Sequence, residues 1–119
     1  MYLENLKGIW KMTNFIVNKA GAKIYKDITK HKVITLPKLK SDKEQGAIYE
    51  VLSVGVLGAQ RTPVITVKEA NGDSIAYRLP NELSDWVENM IGFKLQGFDA
   101  LPSKVEFGII DNIPYAEML

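Results

Sequence analysis

At 119 residues, 46% of them apolar and with a formal net charge of +1, the chain is long enough for one domain around a single core and too short for two. It contains no cysteine, which excludes a disulfide framework, a thiolate nucleophile and a cysteine zinc site, and suits a reducing, cytoplasmic compartment. No run is long and apolar enough to cross a bilayer as a helix. The N-terminus, interrupted by Lys7 and Lys11, lacks the apolar core of a secretory signal, so a soluble protein with no membrane partner is expected. The near-neutral total hides a division: residues 1–45 hold ten lysines against four acids, a net +6, and the rest carries −5. A lysine-rich segment of this kind is the electrostatic footprint of a polyanion-binding surface, or else the solvated outer face of two strands.

In chain order, residues 1–11 place Leu3, Leu6 and Trp10 on one side of a short helix, weakened by Gly8. Residues 1–12 are thus expected as an N-terminal arm. Short strands are expected over 13–17, 23–26 and 32–36, the last ending before Pro37, which cannot donate to a ladder. Residues 40–46 read as a polar loop. The longest β pattern runs over 47–57, with Ile48, Leu52, Val54 and Val56 on one face and Tyr49, Val51, Ser53 and Gly55 on the other. Gly55 and Gly58 sit where a curved sheet bends. Residues 64–69 and 74–79 form a hairpin around Asn71-Gly72-Asp73, with Asn-Gly suited to a type I′ turn.

Leu83, Trp86, Val87, Met90 and Ile91 then recur at helical spacing on one face, with Asn81 to cap the helix and Gly92 to end it. A brief strand over 93–95, a loop, a strand over 104–110 and a tail over 111–119 complete the chain. Three strands, a helix and two strands is the order of the five-stranded Greek-key barrel called the OB-fold, with the helix between the third and fourth main strands. The alternative is an open α+β sheet with the helix across one face.

Little in the sequence points to catalysis. The single histidine, His31, stands between Lys30 and Lys32, where like charge disfavours protonation, and is expected to be a surface strand residue. No Gly-rich phosphate loop, nucleophile elbow or metal-ligand spacing occurs, so neither an enzyme nor a cofactor or metal is expected. Binding of single-stranded nucleic acid asks for less, namely cations along the backbone and aromatic faces for the bases. Lys19, Lys23, Tyr25, Lys26, Lys30, Lys32, Tyr49, Arg61 and Arg78 are the candidate DNA-binding residues. Tyr77, Trp86 and Phe107 are assigned to the core, and Phe98 either stacks a base or pins its loop. A different class of function, a protein-binding or inhibitory module, would use the acidic later half through Glu82, Asp85 and Glu88.

The length, the lysine-rich first strands, the turn at Asn71-Gly72, and the segment from Leu79 through Pro80 and Trp86 into Val105-Glu106-Phe107 resemble the small single-stranded-DNA-binding proteins encoded by phages of lactococci and related bacteria. That resemblance implies an OB-fold, protection of single strands in phage replication or recombination within the host cytoplasm, no cofactor, and assembly into dimers or tetramers. Asp111-Asn112-Ile113-Pro114-Tyr115 is similar to the acidic tip ending in Ile-Pro-Phe by which bacterial single-stranded-DNA-binding proteins recruit replication and recombination partners. It differs in having one aspartate, four residues after Tyr115 and no long linker.

Overall fold

The computed structural model describes residues 14–119; the expected helix over 1–11 lies outside them. The described residues are mostly β, with eight strands in two open sheets and one α-helix. Strands β1 (Phe15–Val17) and β2 (Lys23–Tyr25) form a small antiparallel hairpin. The larger sheet contains β3 (Lys38–Leu39), β4 (Ala47–Leu57), β5 (Thr62–Lys68), β6 (Ser74–Arg78), β7 (Ser103–Ile110) and β8 (Ile113–Met118). Helix α1 (Ser84–Leu95) falls between β6 and β7, where the helix was expected. None of the described helices is long and apolar enough to cross a membrane.

The long strand β4 is the spine of the sheet. Its first residues pair with β7 and the rest with β5, which continues to β6, while β8 covers the far side of β7. The β4–β5 register jumps between Val51 and Ser53, leaving Leu52 as a bulge. A bulge adds one residue and so exchanges the faces that follow it. This corrects the expected alternation: Tyr49 and Val51 before the bulge, and Val54 and Val56 after it, pack on the same core, while Ile48 is exposed.

That core joins Ile65, Val67, Val105 and Phe107 of the sheet to Leu83 and Val87 beneath, with Trp86 edge-on to Phe107 at 5.7 Å between ring centroids. On the opposite face of β5–β6, the β1–β2 hairpin places Ala22 and Ile24 against Ala76. Strand β5 is therefore buried on both sides from Pro63 to Val67, which explains why it is apolar there except at Thr66, whose hydroxyl accepts from the Asn18 side chain.

Several boundaries differ from those expected. The β5–β6 connection is a five-residue loop rather than a two-residue type I′ turn: Gly72 N–H donates to Glu69 C=O, Glu69 N–H donates to Asp73 C=O, and only Gly72 takes positive φ, 92°. Asn71 contributes its side chain, which accepts from Asp73 N–H. The expected strand over 32–36 is reduced to one parallel bridge, Val33 to Arg78, and the extended pairing falls after Pro37 in β3. The expected strand over 93–95 is the last turn of α1. The helix runs through Gly92 and ends where Gly97, at φ 96°, lets Phe98 N–H reach Phe93 C=O and Gly97 N–H reach Lys94 C=O. Asn81 caps nothing; it opens a 3-10 turn over Asn81–Leu83 that leads into the helix.

The tail is also a strand. Asp111 and Asn112, at φ 53° and 63°, make the two-residue turn with both central residues left-handed that had been expected at Asn71-Gly72. Ile113, Pro114 and Tyr115 consequently belong to β8, paired along β7, and not to a free tail.

Candidate nucleic-acid interface

The β1–β2 hairpin packs over the outer face of β5–β6, and His31 joins β2 to β6. Its imidazole is 3% exposed. Nε2 accepts from Tyr25 N–H at 2.9 Å, which assigns the ring proton to Nδ1, facing the Ala76 C=O at 3.3 Å. His31 is thus a buried, neutral bridge and not the expected surface residue. Burial holds its pKa below the usual histidine value, with the nearby Arg78 guanidinium acting in the same direction and the Ala76 carbonyl against both.

The hydrogen-bond alternation of β5 and β6 decides what else lies on this edge. With Glu69 bonded to Asp73, the pairs Val67–Ile75 and Ile65–Tyr77 are the bonded ones, so the backbone groups of Ser74, Ala76 and Arg78 point away from β5. Arg78 N–H donates to Lys32 C=O, Ile34 N–H donates to Arg78 C=O, and Arg78 Nε donates to His31 C=O at 2.7 Å. The chain over 31–34 therefore seals the outer edge of β6 from Ala76 C=O onward. The Ser74 backbone and the Ala76 N–H are left at the unsealed end.

A cleft of about 300 Å3 opens there, lined by Gly21, the β2 residues Lys23 and Tyr25, the 30–32 segment and the β6 residues from Ser74 to Tyr77. Lys23, Lys30 and Lys32 are exposed, the lining contains no carboxylate, and among the described residues none of the three has an acidic partner within 4 Å. Lys23 Nζ lies 5.0 Å from the centroid of Phe15. Tyr25 is half-buried, with its ring 5.6 Å from Phe15 and 5.2 Å from His31.

Four of the nine candidate residues, Lys23, Tyr25, Lys30 and Lys32, thus share one cleft. Lys26 is exposed immediately after Tyr25, and Lys19 lines a separate groove between the β1–β2 hairpin and β4. The remaining three have structural partners. Tyr49 packs 6.0 Å from Phe107 and donates its hydroxyl to Thr35 C=O, and burial raises its pKa. Arg61, at φ 52° in the β4–β5 turn, forks onto Glu88 of α1, so the expected acidic helix face is partly neutralised. Arg78 braces the 31–34 segment. The sequence reading missed His31, whose bridging role depends on a contact 45 residues away.

Acidic residues gather elsewhere. Asp42, Glu44, Glu106 and Glu117 line a groove of about 520 Å3 beside β7 and β8, together with Lys43 and Tyr115. Glu106 accepts from both Tyr115 Oη and Gly46 N–H, which lowers its pKa; burial and this bond push Tyr115 up to about 12. Comparison with protein-family models, curated proteins and solved structures finds no match to this chain.

Proposed function

We propose that the protein binds and protects single-stranded DNA without sequence preference, its lysines contacting phosphates along the cleft between β2 and β6. The observation that carries this reading is the convergence of Lys23, Lys30 and Lys32 on one concave surface without a carboxylate. Asp27 lies outside the lining but close enough to Lys30 to feel its charge; the remaining positive excess at the groove attracts a polyanion by releasing its counterions, and a concave strip suits a single backbone. Of the aromatics expected at the interface only Tyr25 lies in this cleft; Tyr77 also lines it, but packs on the main core and donates its hydroxyl to Glu69. The resemblance to phage-encoded proteins makes replication or recombination the setting, with dimers or tetramers as the assembly; light scattering on the purified protein measures the latter.

The element order supports an OB-type barrel as the finer description of the fold. Strands β4, β5, β6, then α1, then β7 and β8 follow its sequence of elements, with the long first strand shared between its two neighbours. A closed barrel would join β6 to β8, the two ends of the run of five strands. A fluorescence titration of labelled oligo-dT tests the function: affinity falls with salt at a log–log slope of about −0.7 per neutralised phosphate, and no binding at low salt overturns it.

A second reading, a protein-binding module, is favoured by the acidic groove beside β8. Pull-down after nuclease treatment separates the two, because a nucleic-acid binder loses its associates and a protein binder keeps them.

A further inference from the structure

We infer that the cleft recognises the phosphate chain alone, so that bases add little to affinity and inorganic polyphosphate is a ligand of the same site. The inference rests on the nucleic-acid reading above and narrows it from a class of polymer to a chemical group.

Three observations lead there. The cations of the cleft are supplemented by backbone donors: the N–H groups of Ser74 and Ala76 point out of the sheet at its edge, and Arg78 lies behind, close enough to influence His31. Ammonium and amide N–H groups together suit a phosphate oxygen. The aromatic rings, by contrast, are committed. Tyr25 is held between Phe15 and His31, Tyr77 donates its hydroxyl to Glu69 and packs on the main core, and Tyr49 lies against Phe107. The most exposed ring among the described residues, Phe98 at 72%, stands beyond the end of α1 and outside the cleft lining. Finally, the lining offers no side-chain amide or carboxylate to read a base edge; its one imidazole has both nitrogens engaged, and Ser74 supplies its only aliphatic hydroxyl.

The experiment compares three ligands on the full chain. Labelled oligo-dT, an abasic deoxyribose-phosphate oligomer of equal length, and inorganic polyphosphate as competitor are titrated at fixed salt. The abasic oligomer is expected to bind within about threefold of oligo-dT, where loss of even one stacked base costs about fivefold or more. Polyphosphate is expected to displace oligo-dT. Both ligands should weaken together in Lys30→Ala, a substitution at an exposed position that leaves the His31 bridge in place, and in the triple Lys23→Ala, Lys30→Ala, Lys32→Ala variant. An abasic oligomer that binds tenfold or more weakly than oligo-dT, or polyphosphate that fails to displace it, overturns the inference while leaving DNA binding intact. If oligo-dT does not bind, polyphosphate is titrated directly by calorimetry: its binding upholds a phosphate-chain site and overturns the DNA reading, and its failure to bind overturns both.

Discussion

His31 shows how one side chain ties the candidate cleft to stability. Its folded state requires neutral imidazole, because Nε2 accepts from Tyr25 N–H and a proton there would remove the acceptor. Its pKa is lowered on folding, so the unfolded chain binds more protons once the pH falls below the ordinary histidine value of about 6.5. Stability is then fully present above that value and declines below it, toward the lowered folded pKa. Urea unfolding between pH 7.5 and 5.5 is expected to show a falling midpoint that is absent in His31→Gln; an unchanged wild-type midpoint contradicts this. His31→Ala strands the Tyr25 N–H and the Ala76 carbonyl, with an expected cost of about 1–3 kcal/mol for a buried group left unpaired.

Two glycines make a second residue-scale prediction. A Cβ on Gly46 would lie 2.3 Å from the Phe107 carbonyl oxygen, and one on Gly108 would lie 2.7 Å from the Tyr115 ring. Alanine at either position is expected to cost about 1–3 kcal/mol by overpacking. Adding Tyr115→Ala should relieve much of the steric penalty at Gly108 and little of that at Gly46, whose closest obstacle is backbone. Denaturation of the two pairs of variants measures this, and equal relief at both sites would contradict the packing described.

At the level of elements, the hydrophobic periods of β5, β6, α1 and β7 were legible because each is local and strong. Leu83, Val87 and Met90 are buried as their spacing predicts, as are Val105 and Phe107. What was not legible depends on distant partners or on competing turn chemistry. Gly92 reads as a helix stop, yet Gly97 supplies the left-handed residue and Gly92 is carried inside the helix. The bulge at Leu52 exchanges the faces of β4, and nothing in an unbroken β pattern announces it. Pro114 reads as part of a tail over 111–119, but in antiparallel alternation from the Asp111-Asn112 turn its missing N–H falls on the outer side of β8, a position an edge strand tolerates.

The Arg61–Glu88 fork joins the β4–β5 turn to α1, but both side chains are substantially exposed, at 61% and 41%. Arg61→Ala is accordingly expected to change stability by less than about 1 kcal/mol and to leave DNA affinity unchanged. A several-fold loss of oligo-dT affinity in this variant would return Arg61 to the interface.

Across the whole molecule, the +6 of the first 45 residues is a sequence property, whereas its partial convergence is a consequence of folding. The β1–β2 hairpin lies on the outer face of β5–β6, and the 31–34 segment runs along the edge of β6, so Lys23, Lys30 and Lys32 come to one cleft while Lys19 goes to another groove. Linear spacing contains neither docking event. The same folding leaves acids beside β7 and β8, which gives the surface an uneven charge despite its small net value. A groove rich in one sign raises the local concentration of an oppositely charged ligand, an effect that salt screens.

The central claim is that these three lysines neutralise phosphates of a bound single strand. Titrating labelled oligo-dT from low to moderate salt, with the native chain and with the triple Lys23→Ala, Lys30→Ala, Lys32→Ala variant, tests it most directly. The native chain is expected to bind with a log–log slope of about −0.7 per phosphate, and the triple variant with a slope shallower by about 2. Equal slopes in the two proteins, or no binding by the native chain at low salt, would contradict it.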